Sequence, residues 1–204
     1  MLELFVSAFA TLFVVIDPPG CAPIFAGLTA GATPAQRRGM AVRAVGIATL
    51  ILLAFALAGQ ALLHALGISL ASFRIAGGIM LFLIALEMVF ERRTQKREDR
   101  AAKAHPEVED VSIFPMAMPM IAGPGSIASV MLLTARNAGW ERGAVVLAAL
   151  AANLGLMLVS LLAAGAIMRV VGAKIEAVIT RLLGVLLAAL AVQFVMEGVQ
   201  VALS

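Results

Sequence analysis

The sequence predicts an all-α integral membrane protein: six transmembrane segments arranged as two inverted three-helix repeats, with discontinuous first and fourth helices. Three observations lead there. First, 62% of the 204 residues are hydrophobic and only 13% are charged, whereas a soluble domain carries about a quarter charged residues. That leaves too little polar sequence to cover a buried soluble core. Second, the charges are segregated. None lies between Arg43 and Arg74, between Asp110 and Arg136, or between Arg142 and Arg169. Each gap exceeds the roughly 20 apolar residues that cross a bilayer as a helix. Third, the two halves resemble each other. Shifted by 105 residues, "IDPPGCA" from Ile16 lies on "IAGPGSI" from Ile121, and Leu28-Thr29-Ala30 lies on Leu133-Thr134-Ala135.

Taken in order, the spans fall near 4–30, 42–65, 68–90, 113–135, 142–168 and 175–202. The first opens with "MLELFVSAFATLFVV", which lacks a basic n-region and a small-residue cleavage site and so reads as a retained helix. "ERRTQKREDRAAKAHPEVED", Glu91 to Asp110, is the one clear linker. It divides the chain into a first repeat (1–90), a linker (91–112) and a second repeat (113–204). With one residue of slippage, Arg38-Gly39 meets Arg142-Gly143, and Thr49 in span two meets Asn153 in span five. "FRIAGGIMLFLIALEM" from Phe73 parallels "TRLLGVLLAALAVQFV" from Thr180, with Arg-x-x-Gly at the same place. Three spans per repeat is odd, so the second copy crosses the membrane in the reverse sense, a common transporter plan.

Lys and Arg locate the inside. Arg37, Arg38 and Arg43 follow span one; Arg92, Arg93, Lys96, Arg97, Arg100 and Lys103 lie in the linker; Arg169 and Lys174 separate spans five and six. The opposite side has only Arg136 and Arg142 in its loops. Both termini are thus expected outside and the linker in the cytoplasm. The formal charge of +3 fits basic cytoplasmic loops rather than a nucleic-acid partner.

The two breaks carry the chemistry. Pro18 and Pro19 lack N–H donors and clash with the preceding turn, so a helix cannot run through them. Gly20 permits a sharp turn and close approach. Gly123, Pro124 and Gly125 do the same in the second half. Non-helical backbone at membrane depth survives only where protein buries it or a wet cavity solvates it. Helices restarting near Gly20 and Gly125 present free N–H groups and positive dipole ends, with Ser126 available as a cap or ligand. Two convergent dipole ends favour a carboxylate.

Asp17 is an intramembrane acid, expensive and usually functional. It could neutralise an ammonium, help bind sodium, or take up a proton; its bland reading is a cap on the second half-helix. Dipole ends beside one acid are what a small zwitterion needs. Arg74 and Arg181 lie about six residues inside spans three and six. Topology allows Arg74–Glu197 and Arg181–Glu87 pairs at opposite mouths, acting as gates, with Arg74 and Glu87 roughly 20 Å apart along their helix. The alternative is snorkelling to headgroups. Thr49 and Asn153 could line the cavity or only bond a neighbouring helix.

Met116, Met118 and Met120 read as adaptable packing rather than a copper site. His64 and His105 are too far apart for a metal, and no cofactor is expected beyond a coupling H+ or Na+. The Gly77-Gly78 pair serves either a homodimer or packing within one subunit.

"IDPPGCAPIF", "FRIAGGIMLFLIALEM", "MPMIAGPGSI" and "TRLLGVLLAALAVQF" together resemble the MarC family of bacterial and archaeal six-span membrane proteins. The resemblance covers essentially the whole chain. By position, the family's Asp-Pro-x-Gly element falls on Asp17 to Gly20, its Gly-Pro-Gly element on Gly123 to Gly125, and its arginines on Arg74 and Arg181. Some members are described as transporters of glycine and alanine. The resemblance therefore implies cation-driven transport of a small neutral amino acid across a prokaryotic cytoplasmic membrane.

Other classes fit the residues less well. A thiol oxidoreductase needs two cysteines, and only Cys21 exists. An intramembrane protease needs a nucleophile and base, or two membrane acids, and Asp17 has no obvious partner in the sequence. The chain is therefore not expected to be an enzyme. Drug efflux calls for an aromatic-rich pocket, yet there is no tyrosine and one tryptophan, Trp140. Efflux of other small molecules, or a non-transporting sensor or partner, stays as the alternative.

Overall fold

The computed structural model describes residues 1–90, 110–137 and 139–203, with the side chains of 168–174, 176 and 177 left aside. Eight helical segments follow one another among these residues: α1 Leu2–Ile16, α2 Pro18–Leu28, α3 Pro34–Ala65, α4 Leu70–Val89, α5 Ser112–Ile121, α6 Pro124–Arg136, α7 Trp140–Leu162 and α8 Ala164–Leu203. α3, α4, α7 and residues Val178–Leu203 of α8 are each long and apolar enough to span a bilayer. α1 with α2 makes a further span, Leu2–Leu28, and α5 with α6 makes a bent one. The protein is thus an all-α integral membrane protein with five candidate spans, or six when the bent pair counts as one.

Local sequence explains where these helices start. Thr33 and Gln36 form a reciprocal capping box, with Pro34 at the first helical position of α3, an arrangement that satisfies otherwise orphaned N–H groups. The helix therefore begins before the expected 42, and its first turns carry Arg37, Arg38 and Arg43. Ser69 caps α4 by accepting from Ser72 N at 3.0 Å.

One expectation is corrected. The connection at Arg169–Lys174 is helical, because α8 runs unbroken from Ala164. No proline interrupts that stretch. Forty residues at 1.5 Å each exceed the bilayer core, and the apolar span begins only at Val178. The predicted linker arginines and lysines (91–109) lie outside the described residues.

Two buried cores organise the bundle. The larger joins α1, α2, α3, α5, α6 and α7 through residues such as Leu12, Phe25, Leu52, Met116, Leu150 and Met157. The smaller joins α4 and α8 through Leu81, Ala85, Met88, Leu187, Ala191 and Phe194, with Val15 and Leu132. α6 contributes to both, and every residue from Ala128 to Leu133 is buried. A helix enclosed on all sides needs apolar or small residues all round, and α6 has them.

The glycines show how α4 and α8 meet. A methyl group on Gly78 would touch Ala191 O and Val195, one on Gly184 would touch Ala85 O and Met88, and one on Gly198 would touch Ala71 O and Ile75. Rising numbers on one helix meet falling numbers on the other, so the two run antiparallel in close backbone contact. Gly77 is likewise spent inside the subunit, against Ala128 of α6. The outward faces carry exposed Leu50, Leu57, Leu83, Leu182 and Leu186, as lipid requires.

Candidate functional site

Asp17 is the single residue between α1 and α2, fully buried, with φ 55° and ψ 63°. It is the only non-glycine residue at positive φ among those described, a conformation that aspartate tolerates better than most residues. Its own N–H still donates to Phe13 O at 2.9 Å, closing α1. Its Oδ1 accepts from Gly20 N at 3.1 Å, so the acid caps α2, and Pro18 and Pro19 occupy the first two helical positions. Prolines belong there because those N–H groups have no intrahelical partner anyway. α2 therefore restarts at Pro18 rather than near Gly20. Gly20 is needed for close approach: a Cβ there would sit 2.1 Å from Asp17 Oδ2. Asp17, Gly20 and Cys21 make further interactions beyond these.

The second break is built otherwise. α5 is not a regular α-helix: Phe114 (φ −125°, ψ 127°) and Met118 (φ −133°, ψ 125°) are extended. Each precedes a proline, which disfavours the helical region for the residue before it. Met116 and Met120 turn into the core while Met118 faces outward, as packing residues would. Ala122 N reaches back five residues to Ala117 O, and α6 departs at 51° to α5. Gly123 is the N-cap and Pro124 the first helical residue of α6, with no side-chain cap. A Cβ on Gly123 would lie 2.3 Å from Pro119 O, so only glycine fits without moving backbone. Ser126, expected as a cap or ligand, sits in the first turn beyond the cap position, buried. Helix position matches the halves at a shift of 106 rather than 105, since Asp17 and Gly123 are both N-caps.

The fold brings the breaks together. A methyl group on Gly125 would lie 3.5 Å from Val15 Cγ1, two residues before Asp17, and closer still to Leu81 and Ile84 of α4. One turn along α6, Ser129 is fully buried and its Oγ has no hydrogen-bond partner among the described residues. Side chains on a helix lean towards its N-terminus, so Ser129 shares the face of Gly125 and Ser126. Sequence reasoning missed it, although its spacing of three from Ser126 was visible.

Asn153 is buried in α7, and its Nδ2 donates to Phe9 O of α1 at 3.1 Å and to Ala149 O at 3.0 Å. It thereby ties α7 to α1, while its Oδ1 has no partner among the described residues. Phe9 lies eight residues before Asp17, about 12 Å along the helix, so Asn153 is set back from the break. Thr49 donates to Val45 O of its own helix at 2.7 Å, and nothing draws it towards either break.

At one of the two expected gates the charges are arranged differently. Glu197 is ion-paired with Arg136, the last residue of α6, rather than with Arg74. Glu87 and Arg181, the expected second pair, each make an interaction within the structure. On the linker side, Arg43 and Asp110 form a 3.1 Å salt bridge. Asp110 also accepts from Ser112 Oγ at 2.6 Å and Ser112 N at 3.0 Å. These hydrogen bonds, with the Arg43 charge, hold its carboxyl below the ordinary range.

Comparison with known proteins places the chain. The model of the MarC family of integral membrane proteins matches residues 2–203. A UPF0056 membrane protein of Methanocaldococcus jannaschii is 36% identical over 202 residues, 99% of this chain and 98% of its own. UPF0056 membrane protein YvbG of Bacillus subtilis is 35% identical, covering 98% and 96%. UPF0056 inner membrane protein YhgN of Escherichia coli is 33% identical, covering 96% and 95%. No solved structure matches the chain. A match over nearly its full length makes the chain a member of the MarC family of integral membrane proteins.

Proposed function

We propose that this protein is a secondary transporter of small neutral amino acids such as glycine and alanine, driven by a proton or sodium gradient across the cytoplasmic membrane, and not an enzyme. The observation that carries the reading is a fully buried acid at one helix break, packed beside a second break whose helix has no side-chain cap. The dipole end of α2 already has a side-chain cap, the carboxyl group of Asp17. That of α6 does not, so the substrate carboxylate belongs at the Gly125 and Ser126 amides, where a helix N-terminus favours negative charge. The substrate ammonium then turns towards Asp17. Residues at the core of this reading are Asp17, Gly123, Gly125 and Ser126, joined by Ser129.

The antiparallel packing of α4 on α8, the third span of each half, supports an inverted repeat and hence alternating access around a fixed site. The composition speaks against drug efflux. The single tryptophan, Trp140, is exposed at a helix end, and the stacked Phe5, Phe9 and Phe13 run along one side of α1. The relative named as an inner membrane protein supports the location. Uptake of labelled glycine and alanine by protein in liposomes, with sodium and proton gradients imposed separately, tests the reading. Gradient-driven accumulation that disappears in Asp17→Asn is expected. Folded protein that moves neither amino acid under any gradient would overturn it.

A further inference from the structure

Away from the breaks, α4, α6 and α8 meet at one end of the bundle in a cluster of unequal charge. The register of α4 on α6 is set by Leu81 and Ile84 at Gly125, and by Gly77 at Ala128 and Leu132. One more turn brings Arg74 level with Arg136. The register of α4 on α8, with Ala71 and Ile75 at Gly198, sets Arg74 beside Glu197 as well. Arg136 is ion-paired with Glu197, and its Cζ lies 5.3 Å from the centroid of the Phe194 ring. Glu197 also accepts from Gln193 Nε2 at 2.8 Å. Its carboxylate is thus engaged twice, and Arg74 is left over. The Nε of Arg74 is buried with no hydrogen-bond partner among the described residues. A buried guanidinium donor left unmade is costly and calls for a partner.

We propose that Arg74 and Arg136 together bind a singly charged phosphate-type oxyanion at this end of the bundle. Two guanidinium groups and one carboxylate leave one positive charge, which a phosphodiester or a dihydrogen phosphate balances. The planar fork of arginine suits two phosphate oxygens at once. Arg74 lies in the second turn of α4, about 6 Å from the helix start, and Arg136 ends α6. Both are therefore at the rim of the membrane, where phospholipid headgroups and dissolved phosphate are each within reach.

Cys21 is the only cysteine and is buried, so a thiol-reactive fluorogenic dye reports unfolding of the intact chain in a neutral detergent. Two ligands are added separately: phosphatidylglycerol, with diacylglycerol as the phosphate-free control, and inorganic phosphate, with chloride at equal ionic strength as control. At a hundredfold excess over the dissociation constant the melting midpoint should rise by about 5–10 °C. It should rise in the wild type and in Arg142→Gln, an exposed arginine elsewhere, and stay put in Arg74→Gln. A rise with phosphatidylglycerol alone assigns the site to a headgroup; a rise with phosphate as well assigns it to a free anion. No rise in the wild type with either ligand overturns the proposal, whether or not the variants fold. So does an Arg74→Gln protein that responds like the wild type.

Discussion

The two helix breaks solve one problem in opposite ways. In the first, an acid supplies its own cap, the chain turns within one residue, and α1 and α2 remain a single span, Leu2–Leu28. In the second, no side chain caps the new helix, two prolines have already disrupted the arm before it, and the path bends by 51°. The first break is closed by its own carboxyl group. The second has no side-chain cap and opens an enclosed helix, buried at every residue from Ala128 to Leu133. A pair alike in sequence thus differs in structure: one helix start is capped by a side chain, the other is not.

Substitutions can break or sharpen this contrast. The largest effect is expected at Gly123→Ala, whose Cβ would meet the Pro119 carbonyl at 2.3 Å. Backbone cannot yield as a side chain does, so a loss of about 3 kcal/mol or more is expected. Little folded protein should then appear on size exclusion. Gly27→Ala, with open space around it, should be recovered normally.

Asp17 comes next. Asp17→Ala loses both the cap and a residue tolerant of positive φ, about 2 kcal/mol together. Asp17→Asn keeps an acceptor for Gly20 N and should unfold within about 1 kcal/mol of the wild type. If the charge serves transport, both variants lose uptake while only the alanine one loses stability. Equal uptake in Asp17→Asn and wild type would reduce Asp17 to a cap.

Ser129→Ala removes a hydroxyl with no protein partner, so stability should hold or rise by up to about 1 kcal/mol. A several-fold rise in KM for glycine uptake is expected alongside, and an unchanged KM would remove Ser129 from the site.

The smallest effect lies where the second break's first arm begins. The carboxyl of Asp110 is lowered in the folded state by Ser112 and Arg43. Its contribution is therefore complete above the unfolded value, about 3.9, and is lost as pH falls through the folded one. Both partners of the Arg43 pair are about half exposed, at 59% and 49%, which limits the pair to a few tenths of a kcal/mol. Asp110→Asn should lower the melting midpoint slightly at pH 7, and that small difference should vanish as pH falls through the lowered folded value of Asp110.

Much of this was legible in the residues. Proline pairs and Gly-Pro-Gly mark breaks because they lack donors and cannot hold helical geometry, whatever surrounds them. Apolar runs mark spans because lipid imposes a length. Partners were harder to read. Arg74 and Glu197 do lie on neighbouring helices, yet Arg136 takes the carboxylate, because the register of α6 brings its last turn there. Ser129 gave no local signal beyond its spacing, since burial without a partner depends on what packs around it.

The sequence alone determined that the chain is an all-α membrane protein and that its helices break at Asp17–Pro19 and Gly123–Pro124. Those are local consequences of hydrophobicity and proline geometry. Only the tertiary structure decided that Asp17 caps α2 while α6 goes without a side-chain cap, that Gly125 lies against the end of α1, and that Glu197 belongs to Arg136. These depend on helix register across long sequence separations, where a shift of one residue turns a side chain by about 100° and changes its partner.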